Sequence, residues 1–205
     1  MKYAGTFGFK AAGGISFYGG NDYPSYTNGE PKTFDELSGG ENDGLRRLGV
    51  LRMDVDNLGK LFVDGFKHGM NTFSRYSALS RNLDYFFKGY LNEIWRSDAG
   101  FRDKTSIIYS GGDDLFIVGQ WNETIRFAKR IREEFKKYIC SNDKLSISGG
   151  IAIVSSKFPI AKAALLSGEA EHLAKDHTFG KLEKNAFAMM GLPLNWDFEL
   201  PYVEE

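Results

Sequence analysis

Two stretches decide the fold: LGVLRMDVDNLGKLF at residues 48–62 and IYSGGDDLFIV at residues 108–118. In the first, residues 48–55 are short, apolar and β-leaning, the pattern of a buried strand. In the second, residues 105–109 and 115–119 read as strands joined by Ser-Gly-Gly-Asp-Asp, which is hairpin chemistry because glycine supplies positive φ. Between the two stretches, residues 74–96 place Tyr76, Leu79, Leu83, Phe86, Phe87, Tyr90, Ile94 and Trp95 on one helical stripe, with Ser74 as its cap. Beyond them, Asn122 caps a second amphipathic helix with Ile125, Ala128, Ile131, Phe135 and Ile139 inward. Residues 145–154 form another strand, where Gly149-Gly150 marks a bulge or a close backbone approach. Pro159 starts a third helix running to about Lys175, and residues 187–190 are a candidate last strand. The order β-α-β-β-α-β is the split βαβ arrangement, so the expected fold is α+β and ferredoxin-like, with an antiparallel sheet and helices on one face. There is no internal repeat.

This topology bears on function. If the first and third strands are central, the first ends at the same sheet edge as the hairpin turn. Asp54 then meets Asp113 and Asp114, about sixty residues away in sequence. Two like charges at ~4 Å repel by roughly 4 kcal/mol even at an effective dielectric near 20. A crowd of three acids therefore calls for a cation or a retained proton. Oxygen ligands without nearby His or Cys favour Mg²⁺ or Mn²⁺ over zinc. Such an ion keeps positions open for phosphate oxygens, which points to a two-metal site and nucleotide chemistry. Gly111 and Gly112 let backbone approach the phosphates with N–H groups as donors. Either motif alone is ordinary turn or strand-end chemistry; the convergence carries the reading.

The chain has 205 residues, 26 Lys+Arg against 27 Asp+Glu and a formal charge of −1, so no global electrostatic footprint for nucleic acid exists. No uncharged apolar stretch approaches the roughly 18 residues that span a bilayer, and no signal peptide opens the chain; the expected location is cytoplasmic, without a membrane. A single cysteine, Cys140, excludes an internal disulfide and a cysteine-built zinc site. Ten of the 24 glycines fall within residues 1–44, together with many aromatics and no sustained period. That segment is expected to be an irregular strap with a short strand near residues 3–9, followed by the main domain at 45–190 and a tail at 191–205.

Four segments, 48–62, 74–87 (SRYSALSRNLDYFF), 108–118 and 146–153 (SISGGIAI), together resemble the cyclase-type palm of the large subunit of type III-A CRISPR interference complexes. Residues 168–175 (GEAEHLAK) and 184–186 (KNA) are similar to its end, so the resemblance runs over roughly 33–187. That palm is related to polymerase palms and GGDEF cyclases. The resemblance implies joining of ATP into 3′–5′ cyclic oligoadenylates with Mg²⁺ or Mn²⁺, switched on when the complex captures target RNA. It implies Asp54 and Asp113 as metal ligands with the Val55 carbonyl and the neighbouring Asp114, and Asp113 with Asp114 as the catalytic acids. Lys175 would meet triphosphate oxygens; Lys184 and Asn57 are further nucleotide contacts. Ser80 aligns with the helix position where diguanylate cyclases keep a guanine-reading acid, and a neutral hydroxyl there suits adenine.

The implied partners are the other subunits, guide RNA and target RNA, together with the nuclease, first palm and C-terminal domains that the family's large subunit carries. The chain has no His-Asp dipeptide, since His68, His172 and His177 are isolated, so DNA cleavage is not assigned to it; its length suits a domain-sized piece. Two other functions stay open. A diguanylate-cyclase-like enzyme using GTP is disfavoured by Asp114-Leu115 where that family has Glu-Phe. A non-catalytic scaffold module could bind an ion with the same acids. The basic run Lys129, Arg130, Arg132, Lys136 and Lys137 is interleaved with Glu133 and Glu134, the pattern of a solvated helix face.

Overall fold

The structure, a computed structural model, describes residues 3–5, 14–16, 22–40, 44–64 and 72–203. Its elements in chain order begin with β1 (Tyr3–Gly5) and β2 (Gly14–Ser16), an antiparallel pair, and α1 (Phe34–Leu37). Then come β3 (Leu48–Asp56), α2 (Leu58–Asp64), α3 (Phe73–Tyr85), a π-helical turn (Phe86–Tyr90) and α4 (Leu91–Ser97). They are followed by α5 (Ala99–Lys104), β4 (Thr105–Gly111), β5 (Asp114–Gln120), α6 (Trp121–Tyr138), β6 (Ser146–Val154) and α7 (Ile160–Asp176). Then follow β7 (Thr178–Phe179), β8 (Leu182–Glu183), β9 (Ala186–Met189), β10 (Leu192–Asn195) and a 3₁₀ turn (Leu200–Val203).

The main sheet runs β10-β9-β6-β3-β5-β4 and is antiparallel except for β6 with β9. Its β6-β3-β5-β4 part is the ferredoxin-like order, with β3 and β5 inside. β3 is hydrogen-bonded on both sides, which explains its nearly continuous burial and its lack of a clean polar alternation. The two crossover segments, α3–α4 and α6, share one face. There Leu51, Met53 and Val55 of β3 pack with Phe86, Phe87, Phe127 and Phe135. The third helix, α7, covers the other face, where Ala163 joins Leu48, Val50 and Ala152. The expected helices on one face therefore describe the crossover helices, and α7 adds a second layer.

Several sequence expectations shift in detail. The 74–96 helix is interrupted by the π-turn, whose extra residue brings Phe86, Phe87 and Leu91 into the core together while Tyr90 stays at the surface. Thr72, not Ser74, takes the N-cap position of α3, and Gln120 rather than Asn122 takes that of α6; neither side chain makes a cap hydrogen bond. Gly149-Gly150 is a close approach and not a bulge, because β6 pairs with β3 in unbroken register. A Cβ on Gly150 would lie 2.1 Å from the Glu171 nitrogen. Residues 192–195, expected in a tail, form the sheet's edge strand β10.

Part of the expected strap is packed on the sheet. Leu37 is buried with Leu48, Val50 and Val118, the Asp22 carbonyl accepts the Ile107 N–H at 2.9 Å, and Asp22 pairs with Arg96 at 3.0 Å. The expected strand at residues 3–9 is seen as β1, and residues 6–9 lie outside the described residues. On α6 the basic run is paired: Arg130 and Lys137 with Glu134, Arg132 and Lys136 with Asp197.

Candidate active site

Asp54 lies near the end of β3, with Asp114 of β5 and Ser148 of β6 as its cross-strand partners. Residues directly opposite on adjacent strands point their side chains to the same face, so the Asp54 and Asp114 carboxylates share the α7 face of the sheet. The hairpin turn folds back onto β3, since the Val55 N–H donates to the Asp113 carbonyl at 3.0 Å. A strand residue's N–H and C=O point to the same edge, so this bond also directs the Val55 carbonyl toward the turn. Gly112 has φ +67°, a conformation glycine adopts freely, and this lets the turn close over so few residues. Burial, then the Asp114 charge, holds the Asp113 carboxyl above the ordinary aspartate range.

Two lysines converge on this edge. Lys175, in the last turn of α7, is paired with Asp54 and lies 3.5 Å from Glu171. Burial lowers its pKa, and the charges of Lys184 and Arg52 lower it further. Lys184 donates from Nζ to Asn57 Oδ1 at 3.1 Å. Lys175, expected on triphosphate oxygens, is thus found on the carboxylate expected to bind metal, while Lys184 and Asn57 are brought together. Ser80 is exposed on α3, and among the described residues no hydrogen bond or ion pair joins it to Asp54 or the turn. It stands one helical turn before Asp84, which pairs with Lys88 at 2.7 Å, and a Cβ on Gly111 would meet Lys88 Cε at 3.2 Å. The Ser80 stripe therefore leads to the turn.

The structure adds residues that the sequence reading missed. The β4–β5 register shifts between Ile107 and Tyr109. Without that irregularity Tyr109 would pair with Leu115 and face the core. Instead it pairs with Phe116 and lies beside Asp114, and burial followed by the Asp114 charge raises its phenol pKa. Arg52 Nε lies 3.6 Å from Glu171 Oε2, a buried acid whose pKa burial raises. A single strand pattern carries no signal of a register shift, and the Arg52–Glu171 pair spans too much sequence to be read from spacing. Cys140 lies exposed just past α6.

The family description "Cas10/Cmr2, second palm domain" matches residues 47–188 of this chain. The chain belongs to that family. A Cas10/Csm1 of subtype III-A from Methanocaldococcus jannaschii, described as a CRISPR system single-strand-specific deoxyribonuclease, is 38% identical over 179 residues. That alignment covers 80% of this chain and 22% of the relative, so the chain spans less than a quarter of the Cas10/Csm1 protein it matches. Among solved structures, a Csm1–Csm4 cassette in complex with one ATP is similar at a TM-score of 0.76 and 28% identity, covering 91% of this chain and 28% of that one. A Csm1–Csm4 cassette in complex with cA4 is similar at a TM-score of 0.71 and 31% identity, covering 84% and 24%. Among the described residues of this second-palm chain, no helix is long and apolar enough to cross a membrane.

Proposed function

We propose that this palm carries out Mg²⁺- or Mn²⁺-dependent nucleotidyl transfer, joining ATP into cyclic oligoadenylates within a type III-A CRISPR complex. The observation that carries the reading is the cross-strand pair Asp54–Asp114, closed by the Val55–Asp113 hydrogen bond at the Gly-Gly-Asp-Asp turn. The donors there are all oxygen. Among the described residues no three His, Cys, Asp or Glu side chains converge closely enough to hold a metal by themselves. An ion at this edge would be held by Asp54, Asp113 or Asp114 and the Val55 carbonyl, its remaining positions going to phosphate and water, the habit of Mg²⁺. When bound, it supplies charge to the triphosphate and acidity to the attacking hydroxyl.

The protein's own groups supply the rest. Lys175 balances the Asp54 charge and turns to phosphate oxygens when a metal takes that carboxylate. Lys184, held by Asn57 and close enough for its charge to lower the Lys175 pKa, reaches the same region. The Gly111-Gly112 backbone admits phosphate close to its N–H groups, and Ser80 presents a neutral hydroxyl to the base. The Csm1–Csm4 cassettes with ATP and with cA4 support the same chemistry for relatives of this chain. The other subunits, guide RNA and target RNA are proposed partners through that complex, and the cytoplasm is the proposed location.

Titration of Mn²⁺ with and without ATP, in wild type and in Asp113→Ala, tests the reading. Metal affinity is expected to rise with ATP in wild type, because phosphate completes the coordination shell, and to fall in the variant. Equal affinity under all conditions would overturn the metal site and favour a scaffold module.

A further inference from the structure

We infer that Asp56 is a positioning residue, whose buried carboxylate holds the Lys184–Asn185 turn against the end of β3 and so delivers Lys184 to the candidate site. Asp56 shares the strand face of Asp54 but is fully buried, at 0% exposure, which removes it from the metal-accessible edge. Its Oδ2 accepts from Ser146 Oγ at 2.6 Å, Ser148 Oγ at 2.8 Å and the Asn185 N–H at 3.3 Å. Its Oδ1 has no partner among the described residues. One oxygen therefore joins β3, β6 and the 184–185 turn.

That turn needs holding. Lys184 and Asn185 have φ +63° and +50°, two consecutive left-handed residues without glycine, a conformation that persists only where its surroundings fix it. The Lys184 N–H donates to the His177 carbonyl at 2.8 Å, and the Asn185 carbonyl accepts the Trp196 N–H at 3.1 Å. Both contacts come from the same C-terminal region as the turn. The Asn185 N–H to Asp56 is the backbone contact that ties the turn to β3. The next residue along β3's chain, Asn57, receives the Lys184 ammonium. Asp56 thus holds the backbone N–H of Asn185, the residue after Lys184, while Asn57 receives the Lys184 ammonium.

The inference rests on the reading of Lys184 as a phosphate contact, and the experiment separates the two. Affinities for ATP and AMP are measured by calorimetry at saturating Mn²⁺ for wild type, Lys184→Ala, Asp56→Ala, the double variant, Asp56→Asn and Ser148→Ala. Lys184→Ala and Asp56→Ala should each weaken ATP about tenfold, the size of one lost charged hydrogen bond, with AMP unchanged. The double variant should be no weaker than either single one. Asp56→Asn should retain most of the affinity, because its carbonyl oxygen can replace Oδ2 and its amide can occupy the place of the unpartnered Oδ1. Should Asp56→Ala fail to fold, Ser148→Ala carries the test. It removes one donor to Asp56 and the acceptor of the Ala186 N–H, and should weaken ATP about threefold on its own but cause no further loss when combined with Lys184→Ala, a further double variant measured for this purpose.

Additive losses in the double variant would overturn the inference, as would a folded Asp56→Ala with wild-type ATP affinity. Loss in Asp56→Asn equal to that in Asp56→Ala would also overturn it, by showing that charge and not the acceptor matters. Wild-type affinity in Lys184→Ala alone would overturn the phosphate reading beneath it, and the inference with it.

Discussion

At the scale of single residues, base choice is the sharpest question. Ser80 offers a neutral hydroxyl from the exposed side of α3, one turn from Asp84 and two from Lys88 at the turn. Adenine presents a single N6 donor whereas guanine presents N1–H and N2 donors side by side, so a carboxylate at position 80 would gain more with guanine than with adenine. The Ser80→Asp variant should shift the ATP/GTP affinity ratio toward GTP. One hydrogen bond to a charged group is worth about 1.5–3 kcal/mol, roughly ten- to 150-fold. Competition binding with ATP and GTP in Mn²⁺ measures this, and an unchanged ratio would remove Ser80 from the site. At this scale the sequence was a guide to which residues stand at the sheet edge and a poorer guide to their contacts. Asp54, Asp113 and Asp114 stood out through residue type and the convergence that topology demands. The hold of Lys175 on Asp54 and the burial of Asp56 did not, because both depend on packing of α7 and of the 184–185 turn against β3.

At the scale of elements, the glycines of β6 decide where α7 lies. A Cβ on Gly150 would fall 2.1 Å from the Glu171 nitrogen and 2.3 Å from the Ala170 carbonyl carbon, both backbone atoms that cannot rotate away. Gly150→Ala must therefore push α7 off the sheet, and α7 carries Glu171 and Lys175. Overpacking of this kind costs about 1–3 kcal/mol. The variant should unfold at lower denaturant and bind ATP more weakly; wild-type values for both in a denaturation series and a binding titration would show that α7 is not fixed by this contact. The paired glycines were visible in the sequence as an alternative between bulge and close approach, and only the β3–β6 register separates the two. The order of strands and helices was legible because each strand is short and apolar and each helix keeps one stripe. The π-turn at Phe86–Tyr90 was not, since Phe86, Phe87, Tyr90 and Ile94 fit an uninterrupted helix about as well. The β4–β5 irregularity that turns Tyr109 toward Asp114 was hidden for a similar reason, because alternation in Ile107-Ile108-Tyr109 is apolar throughout.

At the scale of the whole molecule, one sheet edge holds one set of acids, and this limits what the chain does by itself. Joining two nucleotides requires the 3′-hydroxyl of one to be held in line with the α-phosphate of the other, and that proximity supplies much of the rate. On the proposed reading, the edge formed by Asp54, the turn, Lys175 and Lys184 takes a single triphosphate. The proposed reading takes the second nucleotide position from the first palm that the resemblance implies, and the alignment covers only 22% of the Methanocaldococcus relative. The 205-residue chain is therefore expected to bind ATP with Mn²⁺ yet to form little or no cyclic product. Two copies facing one another could bring two triphosphates together, and any activity should then rise with the square of protein concentration. Addition of the other palm should restore turnover that is first order in this chain. The measurement is incubation with labelled ATP and Mn²⁺ over a hundredfold range of protein, with the oligoadenylates resolved and the association state followed in parallel. Robust turnover that stays first order in protein, from a demonstrated monomer, would mean that a single palm holds both nucleotides, and the site described here would then need a second triphosphate position within reach of Asp54 and Asp114.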